Sequence, residues 1–293
     1  MPIERVKQAI EDIKHGKMVV MVDDEDRENE GDLVYAATFS TPEKVNFMAS
    51  VAKGLICTPL TEEIAQRLEL IPMVKNNDSQ HETAFTVSVD ARVCSTGISA
   101  YERDITIKIL ADSLSLPSEL VKPGHIFPLI ARKGGTLVRT GHTEGSVDLC
   151  RLAGLSEVAV ICEVMKEDGH MARRDDLDLF CKKHDINIVY ISDIVAYRMQ
   201  AESLVREVTS GLVEFFGTET RKIDMVDHEG NHQPRPVRTA DAKSPALAGL
   251  FRFRVPGWAV RGESPRWRPA VRHSAPGSGC RGCSPAAPGW WRR

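Results

Sequence analysis

Apolar positions recur at two periods along the first two hundred residues, and the two periods alternate. Ile3, Val6, Ile10 and Ile13 repeat at helical spacing, so the chain opens with an amphipathic helix that stops at Gly16. "KMVVMV" then reads as a buried strand and, after a polar loop, "DLVYAAT" as another. "STPEKVNFMASVAKG" predicts a helix capped by Ser40 or Thr41, with Pro42 in its first turn and Gly54 as its stop. "GLICTPL" predicts a strand, "TEEIAQRLEL" a short helix, and "TAFTVSVDA" a strand alternating with period two. Further on come a helix in "TEGSVDLCRLAG", a buried strand in "EVAVICEVM", a helix in "RDDLDLFCKKHD" and a strand in "INIVYIS". A helix capped by Ser192 is expected to run through "DIVAYRMQAESLVREV". Short strands mixed with helices, without strict βαβ repetition, predict a sandwich around a mixed sheet.

The pattern changes after about residue 205. "GLVEFFG" and "TRKIDMVDHEGNH" read as two strands with a turn at Glu229–Gly230. From residue 251 to 293 no period remains, and this stretch holds all four Trp, six Pro and six Gly. It carries nine Arg against one Glu, with no Lys, so residues 246–293 read as a disordered basic tail. The missing Lys and the GC-rich codons of Arg, Pro, Gly, Ala and Trp point to translation out of the ancestral frame after about Ala246.

The formal net charge of -3 hides this division, because the first 250 residues hold 40 acidic and 29 basic side chains. An acidic body argues against nucleic acid as a partner. Apolar runs such as Val158–Cys162 are far too short for a membrane span, and charges interrupt the N-terminal segment where a signal peptide would need an apolar stretch. Cys57, Cys94, Cys150, Cys162 and Cys181 lie scattered in apolar stretches, as expected of reduced thiols in a cytoplasmic protein. Cys280 and Cys283 form a CxxC without the second ligand pair that a zinc site needs.

The acidic loop departs most from ordinary composition. "DDEDRENEGD", residues 23–32, has seven carboxylates in ten positions between two apolar strands. A solvated charged surface is one reading, and a loop paired through Arg27 is another, although one Arg does not balance seven acids. An EF-hand fails, because counting from Asp26 puts Ala37 where a bidentate Glu is required. A magnesium site remains, in which one or two acids bind the ion and others orient substrate or move protons. Elsewhere "PGHIFPL" places His125 after a Pro-Gly turn, and "RTGHTEG" offers Arg139, His142 and Thr143 just before a helix. Taken alone, either His reads as structural. A helix N-terminus with Arg and Thr forms an anion cradle, and His142 has a nitrogen for a metal. Glu163 interrupts a buried strand, where a carboxylate needs a partner or a task. Cation, cradle and acid/base groups together suit a phosphorylated polyol or sugar.

"DDEDRENEGDL", "TGISAYER", "PGHIFPL", "RTGHTE" and "CEVM…DG…MAR" follow one another over residues 1–200 in the order that resembles the 3,4-dihydroxy-2-butanone 4-phosphate synthase family of riboflavin biosynthesis. The resemblance implies an α+β fold, a three-layer sandwich around a mixed β-sheet, spanning residues 1–205. It implies conversion of ribulose 5-phosphate to a four-carbon ketone phosphate and formate with Mg²⁺, or Mn²⁺ in its place, in a cytoplasmic homodimer with sites near the subunit interface. Glu28 and His142 would be the metal ligands, and His125 and Glu163 the acid/base pair. Arg27, Glu28, Glu30, Asp32, the stretch Arg139, Thr140, Gly141, His142 and Thr143, and Glu163 would contact substrate, with Thr106 adding a phosphate contact. Cys57 would line the pocket or simply be buried. Residues 206–245 resemble the start of a GTP cyclohydrolase II domain, but no cluster of zinc-ligating cysteines follows, so no cyclohydrolase activity is expected. The competing expectation is an inactive metal- or nucleotide-binding module on the same fold.

Overall fold

The computed structural model describes residues 2–202 with their side chains, and the backbone of 205–215, 218–227 and 232–238. The opening helix α1 (Pro2–Lys14) ends as expected at Gly16, which takes a left-handed φ of 72°. The two predicted strands, β1 (Val19–Val22) and β2 (Gly31–Ala36), pair antiparallel, so the acidic loop is a clamped connection between neighbours. Helix α2 (Pro42–Phe47) is capped by Thr41, whose hydroxyl accepts from the Lys44 amide. It continues as one π-turn over Met48–Ala52, and Lys53, not Gly54, supplies the left-handed stop at φ 73°. Strand β3 (Cys57–Leu60) and helix α3 (Glu62–Arg67) follow as the pattern predicts.

Three corrections come next. Only β4 (Val89–Ala91) of the expected alternating strand is ladder-paired, while Phe85 and Thr86 make single bridges to Leu129 and Pro72. Helix α4 (Ala100–Ala111) is not among the expected elements; Ser99 caps it by accepting from the Glu102 amide. The expected Pro-Gly turn lies inside an eleven-residue strand, β5 (Leu120–Ile130). It survives there as a bulge: Val89 faces Ile126 and the next residue, Asp90, faces Val121, so Lys122–His125 are thrown out of register.

The remaining elements match the apolar pattern: α5 (His142–Leu152), β6 (Ala159–Glu163), α6 (Arg174–His184) and β7 (Asn187–Tyr190). Helix α7 (Ile191–Ala201) starts after Tyr190 instead of Ser192 and stops at Ala201. Strand β8 (Val205–Phe215) takes the segment "VREV" that was expected to be helical, and it pairs antiparallel with β9 (Thr218–Asp227), which pairs with β10 (His232–Arg238). The predicted turn at Glu229–Gly230, the tail and its CxxC lie outside the described residues.

The order β4-β5-β3-β6-β2-β1-β7 makes one mixed sheet, parallel at β1–β7 and β3–β5 and antiparallel elsewhere. Alternate residues of the central strands enter opposite cores, which is the period-two rule read in three dimensions. Val20, Leu33, Tyr35, Val160 and Cys162 pack with Val45 of α2, Ile107 and Leu110 of α4 and Leu177 of α6. Val19, Met21, Val34, Ala159 and Ile161 pack with Val6 and Ile13 of α1, Leu149 of α5 and Ile194 of α7. Strands buried on both faces read as unbroken apolar runs for this reason. The result is the expected α+β three-layer sandwich. Cys57, Cys150, Cys162 and Cys181 are buried free thiols. Among the described residues no helix is long and apolar enough to cross a membrane.

Candidate active site

One cleft of about 150 Å³ opens where the acidic loop, the C-terminal end of β6 and the N-terminus of α5 meet. Arg27, Glu28, Glu30, Asp32, Cys57, Arg139, His142, Thr143 and Glu163 line it. Four segments far apart in sequence converge there because β2 lies between β1 and β6 in the sheet, with Asp32 directly opposite Glu163.

The seven acids of the loop separate into groups. Asp24, Glu25 and Asp26 are exposed and lose their mutual repulsion to solvent, whereas Asp23 and Asp32 are buried and Glu28 and Glu30 are half-buried. Asp23 anchors the loop. One of its oxygens accepts from the Glu30 amide at 2.9 Å, and the other accepts from the Glu28 amide at 3.0 Å and from Arg27 at 2.9 Å. Arg27 also donates to Glu28 at 2.7 Å. A second cation, not anticipated from the sequence, comes from the cap of α6: Arg173 donates to the carbonyls of Glu28 and Asn29 and lies 3.8 Å from Glu30.

His142 is the third positive element. It is 5 % exposed; its Nδ1 lies 3.5 Å from Glu28 and its Nε2 3.9 Å from Asp32. Burial opposes the imidazolium, but the charges of Asp32, Asp23 and Glu28 and the hydrogen bond to Glu28 overcome it and lift its pKa to about 9. Glu28 answers in the opposite sense: burial raises it, yet His142 and Arg27 hold it at about 2. Asp32 is raised to about 7 by its burial, which the attraction of His142 does not outweigh. Glu30 is pushed up by burial and by the charges of Glu28 and Glu163, against the pull of Arg173.

Two side-chain atoms in this cleft, Asp32 Oδ1 and His142 Nε2, are buried without a hydrogen-bond partner. Buried polar atoms without partners are costly and rare, so a pair facing each other in an acidic cleft marks a place for a ligand. Asp23, Glu28 and His142 present donor atoms within 4.8 Å of one another, a set of two carboxylates and an imidazole that suits a divalent cation. Both oxygens of Asp23 accept from loop amides or Arg27, and one oxygen of Glu28 accepts from Arg27 and faces His142 Nδ1.

On the opposite wall, Arg139 donates to Glu144 at 2.6 Å, to the carbonyl of His81 at 2.9 Å and to the Thr83 hydroxyl at 3.1 Å. It therefore ties the 81–83 segment over the first turn of α5, whose amides point into the cleft end of the helix. Gly141 caps that helix, and Thr140 is exposed beside it. Glu163 accepts from the Leu55 amide at 2.8 Å. The approach needs Gly54, since a Cβ there would meet Glu163 Oε2 at 2.5 Å. Cys57 both lines the cleft and is 2 % exposed, with burial holding its thiol well above the ordinary range.

Thr140 and Gly141 adjoin this cleft in the chain without lining it, and two further expected residues lie outside it. Thr106 is fully buried; its hydroxyl accepts from the Ala91 amide and donates to the Glu102 carbonyl, so it braces α4 against β4. His125 stands exposed on the β5 bulge, paired with Asp90. Asp23, His81, Thr83 and Arg173 were missed. Asp23 was hidden among equivalent acids, and the others sit in segments whose approach depends on the sheet order.

Residues 7–197 match the family model described as 3,4-dihydroxy-2-butanone 4-phosphate synthase. A protein of that name from Sulfurospirillum multivorans is 71 % identical over 230 residues, covering 78 % of this chain and 65 % of the relative. The riboflavin biosynthesis protein RibBA of Bacillus subtilis is 51 % identical over 229 residues, covering 76 % of this chain and 58 % of its own length. The chain thus spans about two thirds of the length of the curated relatives it resembles. A crystal structure of a 3,4-dihydroxy-2-butanone 4-phosphate synthase in complex with two magnesium ions superposes with TM-score 0.64 at 40 % identity, covering 67 % of this chain and 97 % of that one. A two-domain synthase from A. baumannii gives TM-score 0.74 at 42 % identity, covering 82 % and 71 %. With a family match across most of the described sandwich and the acid–imidazole cleft inside it, the chain belongs to the 3,4-dihydroxy-2-butanone 4-phosphate synthase family.

Proposed function

We propose that the protein converts D-ribulose 5-phosphate to 3,4-dihydroxy-2-butanone 4-phosphate and formate, with Mg²⁺ as cofactor and Mn²⁺ as a substitute. The observation that carries this reading is the unpaired Asp32–His142 pair beside Glu28, in a cleft that also holds an Arg and a helix N-terminus. Glu28 and His142 hold the cation, which when bound supplies electrostatic stabilisation to adjacent carbonyl and hydroxyl oxygens of the sugar. Arg139, Thr143 and the first amides of α5 take the phosphate, because a helix N-terminus with a guanidinium favours a dianion. Thr140 and Gly141 shape that turn. Arg27, Glu30 and Asp32 orient the hydroxyls from the opposite side.

Losing an internal carbon as formate requires several proton transfers, hence more than one acid/base group. Glu163 lies in the cleft and moves protons there, its carboxylate aimed by the Leu55 amide. Asp32, with its pKa raised to about 7, is poised to share that work near neutral pH. His125 reaches the chemistry from a second copy of the chain. Supporting this, Val93, Ile98, Tyr101 and Ile105 are exposed on α4 and on the segment before it, whose Gly97 closes on Asp90, and a homodimer would bury such side chains.

The test is formate release by the purified full chain from ribulose 5-phosphate, with Mg²⁺ and with chelator. Glu28→Ala and His142→Ala are each expected to abolish turnover. Turnover retained in either variant would reject the metal assignment, and intact metal binding without formate would favour an inactive module.

A further inference from the structure

His125 is held in a way that its exposure does not suggest. The two oxygens of Asp90 both face it: one accepts from the His125 backbone amide at 2.8 Å, and the other lies 2.8 Å from ring Nδ1. Asp90 is itself 7 % exposed, while the His125 side chain is 42 % exposed. The bulge in β5 makes this possible, since the skipped residues Lys122–His125 project out of the ladder immediately opposite the Asp90 step. From the other side the 94–99 loop closes on the carboxylate. Gly97 has φ +79°, and a Cβ on it would lie 1.9 Å from Asp90 Oδ2. Backbone amide, imidazole and glycine thus fix one carboxylate in one orientation.

An ionised carboxylate only accepts hydrogen bonds. The ring atom facing it therefore carries a proton, and in the neutral imidazole the other nitrogen, Nε2, carries the lone pair. No hydrogen bond to Nε2 is present among the described residues, so within them that lone pair is uncommitted. We infer that Asp90 is a positioning residue that holds His125 in its Nδ1–H tautomer and leaves Nε2 as the atom that takes up and returns a proton during the reaction. The inference rests on the proposed synthase activity for its consequence, and on the Asp90–His125 geometry alone for the tautomer. A simple pin of the bulge would need only the contact to the backbone amide. The second oxygen aimed at the ring is what a tautomer lock adds.

The experiment uses Asp90→Asn in the full chain. The Asn carbonyl can keep the bond from the His125 amide, which turns the Asn NH₂ toward Nδ1, so the ring must accept there and shift its proton to Nε2. We expect kcat for formate release to fall roughly 100-fold, the scale of losing a correctly oriented acid/base group, with KM changed by less than about threefold. In ¹⁵N-histidine spectra the His125 signal, assigned by its loss in His125→Gln, should be the Nδ1–H tautomer in the parent and Nε2–H in Asp90→Asn. An Nε2–H tautomer in the parent, or Asp90→Asn turning over at the parent rate, would overturn the inference. Should Asp90→Asn fail to fold, the parent spectrum still decides the tautomer. A parent protein that releases no formate sinks the synthase reading instead, with the tautomer decided separately.

Discussion

Cation binding and proton release should be one event in this cleft. His142 holds its proton up to a pKa of about 9, because Asp32, Asp23 and Glu28 surround it and override the burial that would remove it. A ligand imidazole must be neutral, so the incoming ion displaces that proton. At pH 7 nearly all chains carry it, and its removal costs roughly 3 kcal/mol at about 1.36 kcal/mol per pH unit. At pH 9 that cost has nearly vanished. Apparent Mg²⁺ affinity should therefore rise roughly 5-fold from pH 8 to pH 9, with close to one proton released per ion near pH 8 and about half of one near pH 9. The sign is fixed: protons compete with the metal, so acid weakens binding. Asp32 titrates near pH 7 in the same cluster, so the slope is read above that value. Titration calorimetry of the full chain in buffers of different ionisation enthalpy counts the protons directly. Affinity that stays flat between pH 8 and 9, with no buffer dependence of the heat, would refute the charge balance described for Glu28, Asp32 and His142.

Two further outcomes test how the site is assembled. If His125 acts in its partner's cleft, then His125→Gln and Glu163→Gln homodimers are both inactive, but a random equal mixture regains about one quarter of parental formate release, because half of the dimers carry one intact site; an inactive mixture with confirmed subunit exchange would place both residues in one subunit's site. Gly54→Ala should displace Glu163, since its Cβ would lie 2.4 Å from the Glu163 carbonyl and 2.5 Å from its carboxylate. A shift of about 1 Å in an acid/base group costs about 100-fold in kcat, and a folded Gly54→Ala protein with parental kcat would show that the carboxylate position is not critical.

What the sequence revealed and what it concealed follow from the range of the forces involved. The buried strands β1, β2 and β6 are legible because both of their faces meet helices, so their apolar runs are continuous and local. Helix α4 is hidden because "DITIKIL" alternates like a strand; Ser99 at its start and the packing of Ile107 and Leu110 against the sheet decide otherwise. Pro123–Gly124 reads as a turn and becomes a strand bulge because β4, about thirty residues earlier, supplies the ladder on both sides of it. No local pattern encodes that pairing. The same distinction runs through the site. Glu28 and His142 stand out by unusual local composition, whereas Arg173, Asp90 and Gly54 acquire their roles only when the sheet order brings them to Glu28, His125 and Glu163.

The crowded acids raise a second question: what favourable energy holds them there. Arg27, Arg173 and a protonated His142 are three cations set against Asp23, Glu28, Glu30, Asp32 and Glu163, and the charges of Glu163, Glu28 and Glu30 add to the burial that raises the pKa of Asp32. Folding tolerates that shortfall because Asp24, Glu25 and Asp26 are solvated, the Asp23 carboxylate accepts from two loop amides, and Glu28 and Glu30 face Arg27 and Arg173, which leaves Asp32 opposite His142. A divalent cation replacing one proton adds a net positive charge at the point where the deficit lies. It follows that the metal should stabilise the fold as well as the reaction. At a concentration of Mg²⁺ 100 times its dissociation constant the gain is about 2.7 kcal/mol by mass action, and a variant that balances the acids without metal would be stable yet inactive.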